Sequence, residues 1–399
     1  MKIVIKDIEV FLTCPDGQNL VVVKVLTNQD GLYGLGCASH AYRAYAVKEV
    51  LEKSFKPLLI GRDASQIEDI SKLLLFNGYW RNGPIGNNAA SGIDMALWDI
   101  KAKMANMCLY DLLGGKCREK VTVYRHCNAP DKERIFEAVD QAVKSGCKYI
   151  RTEYTAFDKP TNGEEYLCLA NSCKHYDPKL HIKNTLDLLY SLRDKYGDSI
   201  ELITDTHERL DPSDAATLAR KLEDLDLFFM EDPLSGENID WLQRIRNNTT
   251  TPLAIGENFT NQHEWKPLIE QHLIDYIRCH LSMVGGLTPA RKIAALAELN
   301  GVKTAWHGPL DMTPIAMAVQ AHLDYAIPNF GIQEYYGFSE ETAQVFPGSP
   351  IYKDGCLVLN EKPGHGVDFD EREARKYPPH QKPTLWTEMR LPDSTIHTP

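Results

Sequence analysis

Apolar and polar positions alternate over Ile3–Leu12 and again over Leu20–Thr27, which predicts two strands joined through a Pro15-Asp16-Gly17 turn. The pattern then becomes helical, and that order of elements suggests a small α+β unit. From about Val121 the texture changes to short apolar runs, each ending in polar residues and each followed by a helix-like stretch. The runs are Val121–Tyr124, Lys148–Arg151, Glu201–Asp205, Leu227–Glu231, Leu253–Glu257, Tyr276–Arg278, Lys303–His307 and Gly331–Glu334. Such a series predicts a closed parallel barrel. An open doubly wound sheet announces a Gly-rich phosphate turn after its first strand, and Tyr124-Arg125-His126-Cys127-Asn128 has none. One long interruption, from Tyr154 to Lys183, is rich in Pro, Asn, Lys and Asp and is expected to be a loop or lid over the mouth, more mobile without ligand than the strands beneath it. After Glu334 the chain returns to turns and short strands, a tail expected to pack back on the first unit.

Composition narrows the class. A chain of 399 residues with 43% apolar and 25% charged residues fits a soluble globular protein of one large and one smaller domain. Lys and Arg number 44 against 55 Asp and Glu, a net charge of −11, with no long basic run, so nucleic acid and anionic membrane are excluded as partners. No stretch approaches the roughly 18 apolar residues of a membrane span, and a cytoplasmic location is expected. The ten cysteines form no C-x-x-C pair, which points to reduced, mostly buried thiols.

The chemistry gathers at the strand ends. Asp205, Glu231 and Glu257 are separated by 231 − 205 = 26 and 257 − 231 = 26 residues, and each closes an apolar run. Singly, Asp205 reads as a helix cap and Glu231 or Glu257 as a surface loop residue. Recurring at the barrel period, the three project from one rim, where their mutual repulsion calls for a divalent cation. With oxygen donors alone in the set, Mg²⁺ is the expected ion. Arg151, Arg278, His307 and Glu334 end other runs. His207, two residues past Asp205, would share its face on an extended strand.

At these residues the sequence resembles the enolase superfamily, in its acid-sugar dehydratase branch of mannonate dehydratases and D-galactonate dehydratase family members. The motifs are Ser91-Gly92-Ile93-Asp94-Met95-Ala96-Leu97-Trp98-Asp99, Asp205-Thr206-His207-Glu208, Glu231-Asp232-Pro233, Gly256-Glu257, Ile277-Arg278-Cys279-His280, Trp306-His307-Gly308-Pro309 with Asp311, and Ile332-Gln333-Glu334-Tyr335. The resemblance implies an α/β chain with a modified (β/α)7β barrel over residues 121–337, an α+β capping domain over 1–120 and a C-terminal segment, 338–399, returning to the cap. It implies Mg²⁺ on Asp205, Glu231 and Glu257, proton loss beside the carboxylate of a sugar acid to give an enediolate, and departure of the 3-hydroxyl to leave a 2-keto-3-deoxy acid. By matching position, His207 is the general acid, and His126, Arg278, His307, Asp311 and Glu334 are substrate contacts with His207 and Glu257. Arg151 matches an arginine that pairs with a tyrosine base, for which Tyr154 and Tyr166 are both candidates; His307 is the alternative base. The family also implies a homo-oligomer.

Two departures stand out. Thr152-Glu153-Tyr154 follows Arg151 where mannonate enzymes show a glutamine, and the loop Gly36-Cys37-Ala38-Ser39-His40-Ala41 lacks their asparagine. No Lys-x-Lys marks the second strand end, which argues against racemase and cycloisomerase chemistry. Glycines 31, 34 and 36 lack dinucleotide spacing and are expected to serve turns, while Trp386 is expected to pack in the core. Two functions remain open on the residues alone: a Mg²⁺-dependent sugar-acid dehydratase of the D-mannonate, D-gluconate or D-galactonate class, or a divergent member that binds a small acid or regulates with little dehydration.

Overall fold

The structure, a computed structural model, describes residues 2–129, 131–153, 175–381 and 389–397. Strands β1 (Ile5–Thr13), β2 (Leu20–Thr27) and β3 (Tyr33–Cys37) form an antiparallel sheet in that order. Val21, Val22, Val23 and Val25 are fully buried, so β2 is the central strand in packing as well as in pairing. Against this sheet lies the helix Pro84–Ala105, which opens with proline at its first turn and ends on left-handed Asn106. Its residues 87–100 are buried without a break, because one side meets the capping sheet and another meets the barrel.

The glycines of β3 explain that contact and correct the turn reading. Gly31 does sit in a turn at φ +79°, but Gly34 and Gly36 lie within the strand, where a Cβ would collide with the backbone oxygens of Ala96 and Gly92. Close approach of strand to helix, not turn geometry, requires glycine there. Gly34→Ala is therefore expected to destabilise the fold by about 3 kcal/mol, the upper end for overpacking; an unchanged denaturant midpoint would contradict this.

The second unit is a barrel. Strands β4 (Val121–His126), β5 (Tyr149–Thr152), β6 (Glu201–Asp205), β7 (Phe229–Glu231), β8 (Leu253–Ile255), β9 (Tyr276–Ile277) and β10 (Lys303–Thr304) pair in parallel, each with the next. A final strand, β11 (Gln333–Glu334), pairs in parallel with β4 and closes the ring. Among the described residues a helix separates every successive pair, giving the expected (β/α)7β order. Tyr124, Ile203, Phe229, Ala254, Tyr276, Ala305 and Ile332 fill the interior as one apolar layer. A hairpin of β12 (Ile351–Lys353) and β13 (Cys356–Val358) pairs antiparallel with the start of β4.

Asp94 on the capping helix, pushed up to about 7 by burial, accepts from Thr288 N at 2.9 Å, where the barrel helix Leu287–Leu299 begins. Asn87 donates to the carbonyls of Thr260 and Met283, both at 2.7 Å. These bonds fasten the cap over the barrel loops. The segment beyond β13 divides in two. Glu371 pairs with Lys24 at 2.7 Å, and His380 O accepts from Asn19 at 2.9 Å, so this part covers the capping sheet. Residues 389–397 instead reach the barrel mouth: Tyr176 N donates to Arg390 O at 2.7 Å, and His397 Nε2 donates to Arg209 O at 2.8 Å.

Of the interruption Tyr154–Lys183, residues 154–174 lie outside the described ones, as do Tyr154, Tyr166 and Trp386. Its end is not loop: a helix begins at Pro178, with Asp177 accepting from the backbone of Lys179 and Leu180. The eight described cysteines are free and five of them are buried, as expected of reduced thiols. No helix among the described residues is long and apolar enough to cross a membrane.

Candidate active site

Register, not spacing, sets where the acids sit. Asp205 ends β6 and pairs directly with Glu231, which ends β7. Glu231 in turn pairs with Ala254, so Glu257 lies three positions further along, past the end of β8 at Ile255. Gly256, at φ +138°, turns the chain there. The equal 26-residue intervals thus do not give equal heights. Asp205, Glu231 and Asp232 offer oxygens within 4.8 Å of one another, and Glu257 stands outside that group.

All these acids are buried or nearly so, which excludes the readings of helix cap and surface loop. Glu257 Oε2 is 2.9 Å from Arg278 Nη1 and 3.4 Å from His307 Nε2. Burial would push its carboxyl up, but His307, Arg278 and His207 outweigh it and hold Glu257 well below the usual carboxylate range. Asp232, pushed well above its ordinary value by burial and then by Glu257, accepts from Gly256 N at 3.3 Å and Arg278 Nη1 at 3.2 Å.

His126, Arg151, His207, Glu231, Glu257, His307, Asp311 and Glu334 line one cavity of about 220 Å³. Pro309 lines it beside His307; Gln18 and Tyr42 close it from the capping domain, and a further part of its wall is Glu153, Arg209, Leu310 and Tyr336. Sequence reasoning missed all of these but Pro309. The signal for Glu153 and Arg209 was their opposite charge: they pair inside the wall, and Arg209 with Arg151 holds Glu153 at about 2 against the upward push of burial.

His207 reaches the cavity by a different route from the one expected. It lies beyond β6 in the left-handed region at φ +48°, with Glu208 at +61°, and its N–H donates to Asp205 Oδ1 at 2.5 Å. A tight turn brings it in, so strand alternation does not apply. Arg278 is also displaced from its expected role. It is wholly buried behind the acids, at 2.9 Å from Glu334 and Glu257, and is not in the cavity wall.

On the opposite wall, Arg151 pairs with Asp205 and sits 3.6 Å from Glu231. Its Nη1 donates to His126 Nδ1 at 2.9 Å, so the His126 proton is on Nε2, which donates to Glu334 Oε1 at 2.6 Å. Burial, then Arg151, lowers the His126 pKa, in keeping with a neutral ring. His280, neutral through burial, meets His307 with 3.0 Å between their Nδ1 atoms.

Asp205 Oδ2 and Glu231 Oε1 are buried without a directed hydrogen bond, although guanidinium groups stand close to both. Hard oxygen donors on adjacent strand ends, held here by guanidinium ion pairs rather than by directed hydrogen bonds, fit Mg²⁺.

Residues 4–114 match the mandelate racemase / muconate lactonizing enzyme N-terminal domain, and residues 135–374 match the enolase C-terminal domain-like family. A D-galactonate dehydratase family member of Enterococcus gallinarum is 48% identical over 399 residues, covering 100% of this chain and 99% of that one. The chain belongs to the D-galactonate dehydratase family of the enolase superfamily. Another family member, from Salmonella enteritidis, is 44% identical over 412 residues, with 99% and 98% covered. An enolase from Pantoea ananatis, solved with bound D-gluconate and Mg, superposes at a TM-score of 0.95 with 44% identity and full coverage of both chains. A putative galactarate dehydratase of Agrobacterium radiobacter follows at 0.85 and 28% identity. The capping domain and barrel of this family are thus the two units described above.

Proposed function

We propose that this member of the D-galactonate dehydratase family is a Mg²⁺-dependent dehydratase of a monocarboxylic sugar acid, in the D-mannonate, D-gluconate or D-galactonate class. The observation that carries the reading is the cluster of buried carboxylate oxygens on Asp205 and Glu231, at paired ends of adjacent strands, beside a cavity that also holds His207 and His307. The bound D-gluconate and Mg of the Pantoea relative support it.

The residues that would hold the ion are Asp205, Glu231 and Glu257. Glu257 is preferred to Asp232 because it lines the cavity, whereas both Asp232 oxygens already accept hydrogen bonds. When bound, Mg²⁺ supplies Lewis-acid stabilisation of the substrate carboxylate as the neighbouring carbon loses its proton. His307, beside Glu257 and backed by His280, would take that proton. The carbon–oxygen bond at C3 then breaks, and His207 donates a proton so that the hydroxyl leaves as water. The enol left behind tautomerises to the 2-keto-3-deoxy acid, so substrate equals product plus one water.

The wall also selects for one carboxylate. Both arginines lining the cavity, Arg151 and Arg209, are bound to carboxylates of the chain itself. Gln18, Tyr42, Leu310 and Tyr336 present uncharged groups to the rest of the substrate.

A library of aldonic and aldaric acids, screened for 2-keto-3-deoxy product, tests this reading. Turnover is expected for at least one aldonate with Mg²⁺, with loss on chelation and recovery when Mg²⁺ is restored. Mg²⁺-dependent binding of an acid without product would favour the alternative of a non-dehydrating acid binder, and activity that survives full chelation would exclude the metal assignment.

A further inference from the structure

Beneath the acidic centre lies a polar atom that no sequence motif marks. Tyr124 stands on β4, wholly buried in the apolar barrel layer, and its hydroxyl is 3.0 Å from Glu231 Oε2. Arg278 approaches the same hydroxyl with Nε at 3.3 Å and Nη2 at 3.2 Å. A guanidinium can only donate, so these two N–H groups occupy the acceptor side of the phenol oxygen. The single phenol hydrogen is left for Glu231 Oε2.

The consequence lies at the other oxygen of Glu231. Arg278 Nη2 carries two hydrogens, and the bonds to Tyr124 and to Glu334 Oε2, at 3.2 and 2.9 Å, account for both. Glu231 Oε1 therefore receives no directed hydrogen bond even though the same Nη2 is only 2.8 Å away. Without the phenol oxygen, one Nη2 hydrogen is released and its nearest acceptor is Oε1.

We infer that Tyr124 is a positioning residue for the cation: its hydroxyl fixes the Glu231 carboxylate through Oε2 and, by accepting from Arg278, leaves Oε1 without a directed hydrogen bond that the ion would have to displace. The inference rests on the proposed function in one respect, that Glu231 is a Mg²⁺ ligand. It adds a second role for Arg278, whose hydrogens are distributed by the tyrosine.

Tyr124→Phe keeps the ring that packs against Phe229 and removes only the oxygen. Calorimetric titration of the metal-free protein with Mg²⁺ is expected to show affinity lowered by about ten- to a hundredfold, the range for loss of a partner that orients a metal ligand. Tyr276→Phe, altering another phenol of the same layer, is expected to leave Mg²⁺ affinity unchanged and so controls for general loosening of the barrel. A wild-type protein that binds no Mg²⁺ would overturn both the proposed function and this inference. Wild-type binding retained in full by a folded Tyr124→Phe variant would overturn the inference alone. Should that variant not fold, neutron diffraction of the wild-type protein decides: a Tyr124 deuteron on the line to Glu231 Oε2 supports the assignment, and one pointing elsewhere overturns it.

Discussion

Glutamine in place of Glu231 is expected to remove measurable Mg²⁺ binding and to lower turnover on the order of a thousandfold or more, the scale set by losing the Lewis acid. The Tyr124 hydroxyl donates to Oε2, so the amide oxygen of a glutamine takes that position and its NH₂ falls where Oε1 had been. The site then offers a donor in place of an acceptor, and the substitution removes negative charge as well. The metal-free fold is expected to survive, because Asp232, Glu257 and Glu334 remain around Arg278, and Asp205 remains beside Arg151. Calorimetry and a thermal melt of the same sample separate the two effects. A folded variant with unaltered Mg²⁺ affinity would place the ion elsewhere.

The second large effect is expected at His207. His207→Asn should leave Mg²⁺ and substrate binding nearly unchanged while turnover falls by about a hundredfold or more, the contribution of a general acid. Asparagine suits the test because it tolerates the left-handed conformation at φ +48° and preserves the backbone N–H that holds Asp205 Oδ1. What it cannot do is deliver a proton. In heavy water, exchange at the carbon beside the carboxylate should continue in this variant although dehydration stalls. Exchange lost together with dehydration would assign His207 to proton abstraction, and full dehydration would show that the acid lies elsewhere.

The barrel was legible because each strand buries a short apolar run and ends in polar residues at the mouth, a one-dimensional signal that survives without any contact information. Asp205 and Glu231 followed from it, since each is the last residue of its strand. Glu257 shows where such reading stops: interval counts cannot reveal that β8 ends two residues earlier, because strand length and register are settled by pairing. Gly34 and Gly36 were visible as glycines, but the helix that crowds them is some sixty residues on in the chain, at Gly92 and Ala96. The helix start at Asp177-Pro178 carried a sound local signature and was obscured by the polar stretch before it. Tyr124 and Arg278 read as an apolar-strand residue and a strand-end cation. Their shared network exists only once the barrel closes.

The bond from His397 to the carbonyl of Arg209 spans 188 residues. A ribosome that has delivered the His207 turn must therefore add nearly half the chain again before anything can fasten that turn from the far side. When the turn emerges the polypeptide holds His126 and Arg151 but not yet Glu231, Glu257 or His307, and the Asp232 carbonyl that accepts from Glu208 N arrives only with β7. Closing so long a loop is a late event. The far-side fastening of the turn therefore waits on residues 389–397, and a change in that segment would act on the chemistry from outside the cavity.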